Sequence, residues 1–304
     1  MTITHLVTHS GGFHADELLS SVVLKRLFPK AELVRSRDKN WITPAYGKII
    51  FDVGGAYDEK AQIFDHHQRP GPLREEGEPY SSFGLIWKHF GRAYLTTLDV
   101  PSHDIEVVHK EFDKKFVLPI DLLDNGAMEP SVAGSLSSMT LPTLLGSLKP
   151  VFDDTSSTAD DDAFFAGLSI ACCFVEAIIR NLAAKSRAQN LVAEAIAQTG
   201  ISRILELPMG MPYLATLKKA KADHILFMIN PRGADWTLNG IKLSHDTFDQ
   251  RADLPESWAG LTDEALQEAC GVEGAKFCHN ARFIAVADSR DAILKMAEIA
   301  LEHV

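Results

Sequence analysis

The chain is poor in cysteine, short of positive charge and without a long unbroken apolar run, and each shortage removes a class of protein. Its 304 residues hold four cysteines, Cys172, Cys173, Cys270 and Cys278. No two of them stand in C-x-x-C spacing, which argues against a thiolate zinc site or a disulfide scaffold and for core thiols in a reducing compartment. Basic residues number 30 against 41 acidic, a net charge of −11. Such a chain repels bulk polyanions, which speaks against a nucleic-acid coat protein or a polybasic membrane binder. A short anionic substrate remains compatible if metal ions or a local basic groove supply the positive charge. The most apolar stretch, Ala163 to Val175, ends at Glu176; it is too short to span a bilayer and reads as a buried helix. The opening MTITHLVTHSGG has no basic segment and no long apolar core, so a soluble cytoplasmic protein is expected. What the chain does have is 46% apolar residues, enough to bury a core, and a length that suits two domains.

The first half alternates between strand-like and helical patterns. ITHLVT (3–8), AELVR (31–35), KIIFDV (48–53) and QIFDHH (62–67) read as β segments, and ADELLSSVVLKRLF (15–28) as a helix with Asp16 and Glu17 at its positive end. Strands separated by helices imply crossover units and a mostly parallel sheet flanked by helices, an α/β domain. Further helices are expected from Ser81 to Gly91 and over 102–118, with Pro119 interrupting before a short element at 120–126. A loop rich in proline and serine follows, and its acidic run DDTSSTADDD (153–162) reads as a solvated helix start. Two long helices are expected near 161–182 and 184–199. Gly200 is the boundary candidate, giving a catalytic domain over 1–200, with a helical connector from about 160, and a smaller α+β domain over 201–304. In the latter, strands are expected at 202–207, 224–229, 236–241, 276–279 and 282–287, with helices near 213–220, 262–270 and 289–303.

Imidazoles and carboxylates collect where the N-terminal strands end. THSGGFHADE (8–17), FDVGG (51–55), FDHHQR (64–69) and DLLDNG (121–126) bring His9, His14, Asp16, Asp52, Asp65, His66, His67, Asp121 and Asp124 towards one edge. Ligands of parallel α/β sheets bind outside the carboxyl ends of the strands, and these donors suit Mn²⁺, Mg²⁺, Fe²⁺ or Zn²⁺. Taken singly, each piece has an ordinary explanation: His9 as a surface residue at a strand end, HADE as a helix start, Asp52 as a support for the Gly54-Gly55 turn. The DHH triplet is sharper, because a buried histidine pair must be hydrogen-bonded or metal-bound to offset its desolvation. Four such segments ending successive elements point to a metal site.

This ordered set resembles the DHH phosphoesterase superfamily. More closely, THSGGFHADE, FDVGGAYD, FDHHQR, SSFGLIWKHFG (81–91), DLLDNG, INPRG (229–233), LPESWAGL (254–261) and FCHNARFI (277–284) are similar to the melanocyte-proliferating-gene family of DHH proteins, over nearly the whole chain. The resemblance implies a metal-dependent hydrolase, a 3′–5′ exonuclease acting on RNA or short oligonucleotides. It implies two divalent ions, manganese before magnesium or zinc. His9 and His14 would hold one and Asp16 the other; Asp52 would bridge both; His66 would complete the second; and the last ligand would come from DLLDNG, Asp124 first and Asp121 as runner-up. Asp65 and His67 would take the catalytic supporting roles, Asp65 orienting the histidine pair and His67 facing the phosphate. In the second domain Arg232, Arg251, His279 and Arg282 are the candidates for gripping substrate, Arg282 standing where the family usually has glycine. The cleft between the domains would take the substrate. No membrane and no stable protein partner are implied, and a homo-oligomer stays open.

Two rivals share parts of this picture. A small-molecule phosphoesterase, cleaving pyrophosphate, a cyclic dinucleotide or a phosphorylated metabolite, would use the same metals. A regulator that binds metal or nucleotide without turnover would be expected to have lost one of the ligands, and all are present.

Overall fold

The computed structural model describes residues 2–244 and 246–304 and divides into two compact units, residues 1–184 and 185–304. In the first unit the order is β1 (His5–Thr8), α1 (Ala15–Leu27), β2 (Glu32–Arg35), α2 (Lys39–Ile42), β3 (Lys48–Phe51), β4 (Tyr57–Asp58), β5 (Ile63–Phe64), α3 (Ser82–Thr97), α4 (Ile105–Phe112), α5 (Leu118–Asp124), α6 (Leu141–Gly146) and the long α7 (Ala159–Thr199). The sheet runs β2-β1-β3-β5-β4; every pairing is parallel except β4 with β5.

Alternation along the strands explains why both faces are covered. Leu6, Ile49, Phe51 and Phe64 turn to the larger core, where they meet Leu18, Val22, Phe83, Ile86 and Trp87 of α1 and α3. Their neighbours Val7, Ile50 and Ile63 turn the other way onto Trp41 and Ile42. Side chains of successive strand residues point to opposite faces, so a strand covered twice must be apolar throughout. The chain leaves β1 for β2 on one side and returns to β3 on the other. That reversal opens a crevice at the carboxyl ends of β1 and β3, the position open α/β sheets use for ligands.

Three sequence expectations differ from the structure here. Pro119 does not interrupt the helical path: a wider π-type turn at Asp113–Val117 leads into α5, and Pro119 occupies that helix's first turn, where its missing N–H is tolerated. The expected pair of helices after residue 160 is one helix of 41 residues, since nothing around Ala183 and Ala184 breaks it. The helix is also only half buried. Phe164, Ala171, Val175 and Ile179 enter the first unit's core, while Phe165, Ile170, Cys173 and Phe174 lie exposed. Among the described residues α7 is the one helix long and apolar enough to cross a membrane, by length and composition alone.

The second unit begins inside that helix. Val192, Ala195 and Ile196 pack with Leu205, Leu217 and Ile225, which is why the division falls at residue 184 and not at Gly200. The unit continues through β6 (Ile204–Glu206), α8 (Leu214–Lys219), β7 (Phe227–Arg232), β8 (Asp235–Gly240), α9 (Asp263–Cys270), β9 (Ala275–Cys278), β10 (Ile284–Ala287) and α10 (Arg290–Glu302). Its sheet runs β6-β7-β8-β10-β9, with only β6 and β7 parallel.

Candidate metal centre

Four chain segments deliver the first unit's polar cluster. His9 follows β1 directly, and Asp52 follows β3 with a left-handed φ of +54°. A non-glycine residue held there stores backbone strain, of a kind that concentrates at functional positions. His14 caps α1, and Asp16 and Glu17 form its first turn, fully buried near the positive end of the helix. Asp65, His66 and His67 follow β5. Asp124 closes α5, with Asn125 as its cap.

Asp52 stands at the centre of the geometry. Its Oδ2 lies 3.2 Å from His9 Nε2, and its Oδ1 lies 3.3 Å from His66 Nε2. His66 Nε2 is also 3.3 Å from Asp124 Oδ2 and 3.9 Å from Asp16 Oδ2. The donor atoms of His14, Asp16 and Asp124 lie within 4.8 Å of one another, as do those of Asp16, Glu17 and Asp52. The structure thus brings His9, His14, Asp16, Asp52, His66 and Asp124 to one place. A cavity of about 500 Å³ opens over them, lined also by Arg37, Asp65 and His67.

The electrostatics are those of a site built around positive charge. Burial opposes charging His9, yet the Asp52 and Glu17 carboxylates lift it to about 10. His66, likewise buried, is lifted to about 9 by Asp52, Asp124 and Asn125. Burial, with Asp52, Asp124 and Glu17 close by, drives Asp16 well above the ordinary carboxylate range. Despite its burial, Asp52 is held below that range by His66 and His9. Asp16 supplies the test of whether a cation fits: both its oxygens are buried and neither has a hydrogen-bond partner among the described residues. A buried carboxylate left so is costly, and a divalent ion bound by oxygen and imidazole would satisfy it. The donor set suits Mg²⁺, Mn²⁺ or Zn²⁺.

The surrounding residues hold the cluster in shape. Asn125 Oδ1 lies 3.2 Å from His66 Nδ1, turning Nε2 towards the acids. Glu17 accepts the His14 backbone N–H at 2.8 and 2.9 Å. Asp65 accepts the backbone N–H groups of Gly55, His66 and His67 at 2.6, 2.8 and 3.2 Å, and lies 2.7 Å from His67 Nδ1. Asp65 therefore orients the ring of His67, while Asn125 orients that of His66. His67 is 63% exposed and faces the cavity. Sequence reading alone does not assign Glu17, Asn125 and Arg37 these roles. Glu17 is legible as the acid three residues after a helix cap; Asn125 and Arg37 give no signal beyond lying beside Asp124 and after a strand.

Asp121 is elsewhere. It is fully buried, with Arg74 Nη2 at 2.6 Å, Ser81 Oγ at 2.7 Å and Gly84 N at 3.0 Å. Its side chain ties α5 to α3, and Asp124, the alternative, is the one in the cluster. Ser81 also caps α3, and Trp87 is core.

Arg251 donates to the carbonyls of Ala222 and Ile225 at 2.7 and 2.9 Å and pairs with Asp223, so it braces loops. Arg282 has a φ of +55°, a conformation glycine adopts without strain, and pairs with Asp253 at 3.0 Å. His279 Nδ1 accepts the Ala281 N–H, and its ring packs on Phe283 at 4.4 Å. Arg232 ends β7, exposed.

Comparison with known proteins adds the following. The family model MYG1_exonuc, described as an uncharacterised protein family (UPF0160), matches residues 5–301. The MYG1 protein of Schizosaccharomyces pombe is 32% identical over 327 residues, spanning 99% of this chain and 98% of its own. The MYG1 exonuclease of Homo sapiens is 32% identical over 329 residues, spanning 97% and 85%. Among solved structures, an exonuclease RecJ bound to manganese aligns with 98% of this chain and 89% of its own at 13% identity and a TM-score of 0.26. RecJ from Thermus thermophilus in complex with Mg²⁺ aligns with 98% and 49% at 11% identity and a TM-score of 0.27.

Proposed function

The chain belongs to the MYG1 family, and from that premise we propose that it is a metal-dependent nuclease, releasing nucleotides from the 3′ end of RNA or short oligonucleotides. The observation that carries this reading is Asp16, whose buried oxygens have no hydrogen-bond partner among the described residues, beside an Asp52 that offers one oxygen to each side of the cluster. Relatives are named exonucleases, and the sequence motifs resemble those of DHH phosphoesterases.

His9 and His14 would hold one divalent ion, Asp16, His66 and Asp124 a second, with Asp52 shared between them. Such a pair, when bound, supplies a water deprotonated near neutral pH and neutralises charge on the phosphoryl oxygens. The chain's residues do the remainder. Asp52, fixed by the end of β3, offers two anionic oxygens in opposite directions. Asn125 keeps His66 turned inwards, because a ligating imidazole needs its second nitrogen anchored. His67, exposed and aligned by Asp65, presents its ring to the substrate phosphate. Arg37, which also lines the cavity, offers a planar fork for a non-bridging oxygen.

The test is release of mononucleotides from single-stranded RNA, labelled at either end, in manganese. Activity in the wild type that is lost in Asp52→Ala supports the reading; equal inertness of both at every metal concentration overturns it. Because a net charge of −11 disfavours long polyanions, a small-molecule phosphoesterase is the competing reading. Faster turnover of pyrophosphate than of dinucleotides or longer RNA would favour it.

A further inference from the structure

A second cavity adjoins the metal centre within the first unit. It measures about 320 Å³, at the lower end of the roughly 300–1,000 Å³ typical of small-molecule sites. His14 and Asp124 line both cavities, so an occupant of one is a neighbour of an occupant of the other. The two differ in chemistry. The first is walled by imidazoles and carboxylates. The second has Ile120, Leu123 and Pro142 as its apolar wall, with the Thr143 hydroxyl and the Lys149 ammonium at its polar edge. Lys149 Nζ lies 5.8 Å from the centre of the Phe13 ring.

From this we propose that the second cavity takes the nucleoside of the nucleotide whose phosphate lies at the metal centre. The inference rests on the nuclease reading and deepens it. A base and ribose match the lining as a phosphate does not: a flat apolar face for Leu123 and Pro142, ring carbonyl or hydroxyl oxygens for Lys149, and a ribose hydroxyl to donate to Thr143, whose own hydroxyl donates to the Ser137 carbonyl. Specificity would then be set in α5, α6 and the loop after α6, close to the reacting phosphorus. Gly146 gives the means of closing the cavity. It lines the wall, and a Cβ placed on it meets no atom within 4 Å, so a larger side chain there grows into open space.

The experiment compares two diesters with the same leaving group, thymidine 5′-(4-nitrophenyl phosphate) and methyl 4-nitrophenyl phosphate, in manganese-loaded full-length protein. Gly146→Phe should lower the ratio of kcat/KM for the nucleoside diester over the methyl diester at least tenfold, chiefly through KM. Lys149→Ala should lower it about threefold to tenfold. An unaltered ratio in Gly146→Phe overturns the proposal, whether the two rates stay constant or fall together. Calorimetry on the same proteins adds a readout independent of turnover. Adenosine monophosphate should bind at least tenfold more tightly than inorganic phosphate, and Gly146→Phe should erase that margin. If the wild type cleaves neither diester, the nuclease reading fails, and the margin alone decides the pocket: equal affinities for the two ligands refute it.

Discussion

Two buried aspartates of the first unit, Asp16 and Asp121, share their burial and differ in the polar groups around them. Asp121 has a guanidinium, a hydroxyl and a backbone N–H around it. Asp16 is equally buried and has no hydrogen-bond partner among the described residues for either oxygen. Burial alone pushes both upwards; Arg74 and Ser81 restrain Asp121 at about 6, while the neighbouring acids push Asp16 further. Burial alone does not separate the two acids; the polar groups around each of them do.

Removing the charge at each position should therefore have opposite consequences. Asp16→Asn is expected to lower metal-dependent hydrolysis by about 10²–10³-fold, the scale of losing a transition-state electrostatic contact. The metal-free protein should melt at an unchanged or higher temperature, because the cost of burying an acid beside Asp52, Asp124 and Glu17 is gone. A lowered melting temperature together with full activity would reverse the comparison. Asp121→Ala should do the converse, costing about 1–3 kcal/mol of stability by leaving the Ser81 hydroxyl and the Gly84 N–H without their buried acceptor, while Arg74 keeps its pair with Asp113, as read by urea unfolding. Asn125→Ala lies between them. Freeing the second nitrogen of His66 should weaken metal binding about 10–100-fold, measured by manganese titration, with little change in melting. The smallest effect is a pH dependence. Since Asp121 keeps its proton more tightly when folded, it favours the folded state most in acid, and that contribution declines as pH rises from about 4 to about 6. The stability of wild type relative to Asp121→Asn should therefore decline over that interval; a difference independent of pH would show that Asp121 titrates normally.

The same two residues show how much the sequence disclosed. Asp121 and Asp124 sit in one short motif, and the motif resemblance ranks Asp124 first but does not separate them physically. Three residues apart on a helix, they share a face, and what distinguishes them is Arg74, more than forty positions away in the chain. The strands of the first sheet are legible because covering both faces demands apolar runs such as KIIF, and the crevice follows from the residues ending them. The histidine supports are less legible. Asn125 acts on His66 across 59 positions, and no spacing rule links them. The long helix reads as two because its surface is mixed near Ala184, and pattern alone does not report which unit's core each turn will enter.

Gly84 extends the comparison. A Cβ there would land on the Asp121 carboxylate, so α3 reaches α5 this closely only through a residue without a side chain. Gly84→Ala should loosen that contact, costing about 1–3 kcal/mol by overpacking. Through the displaced α5 it should weaken metal binding as well, although Gly84 touches no ligand.

Where α7 changes allegiance has a practical bearing on cutting the molecule into pieces. A fragment begun after Gly200 would discard Val192, Ala195 and Ile196 and leave Leu205 and Leu217 wet, inviting aggregation. One begun near Lys185 keeps its own first helix. Ligation or fusion schemes for this protein should accordingly place their scar within the helix, one turn beyond Ala183.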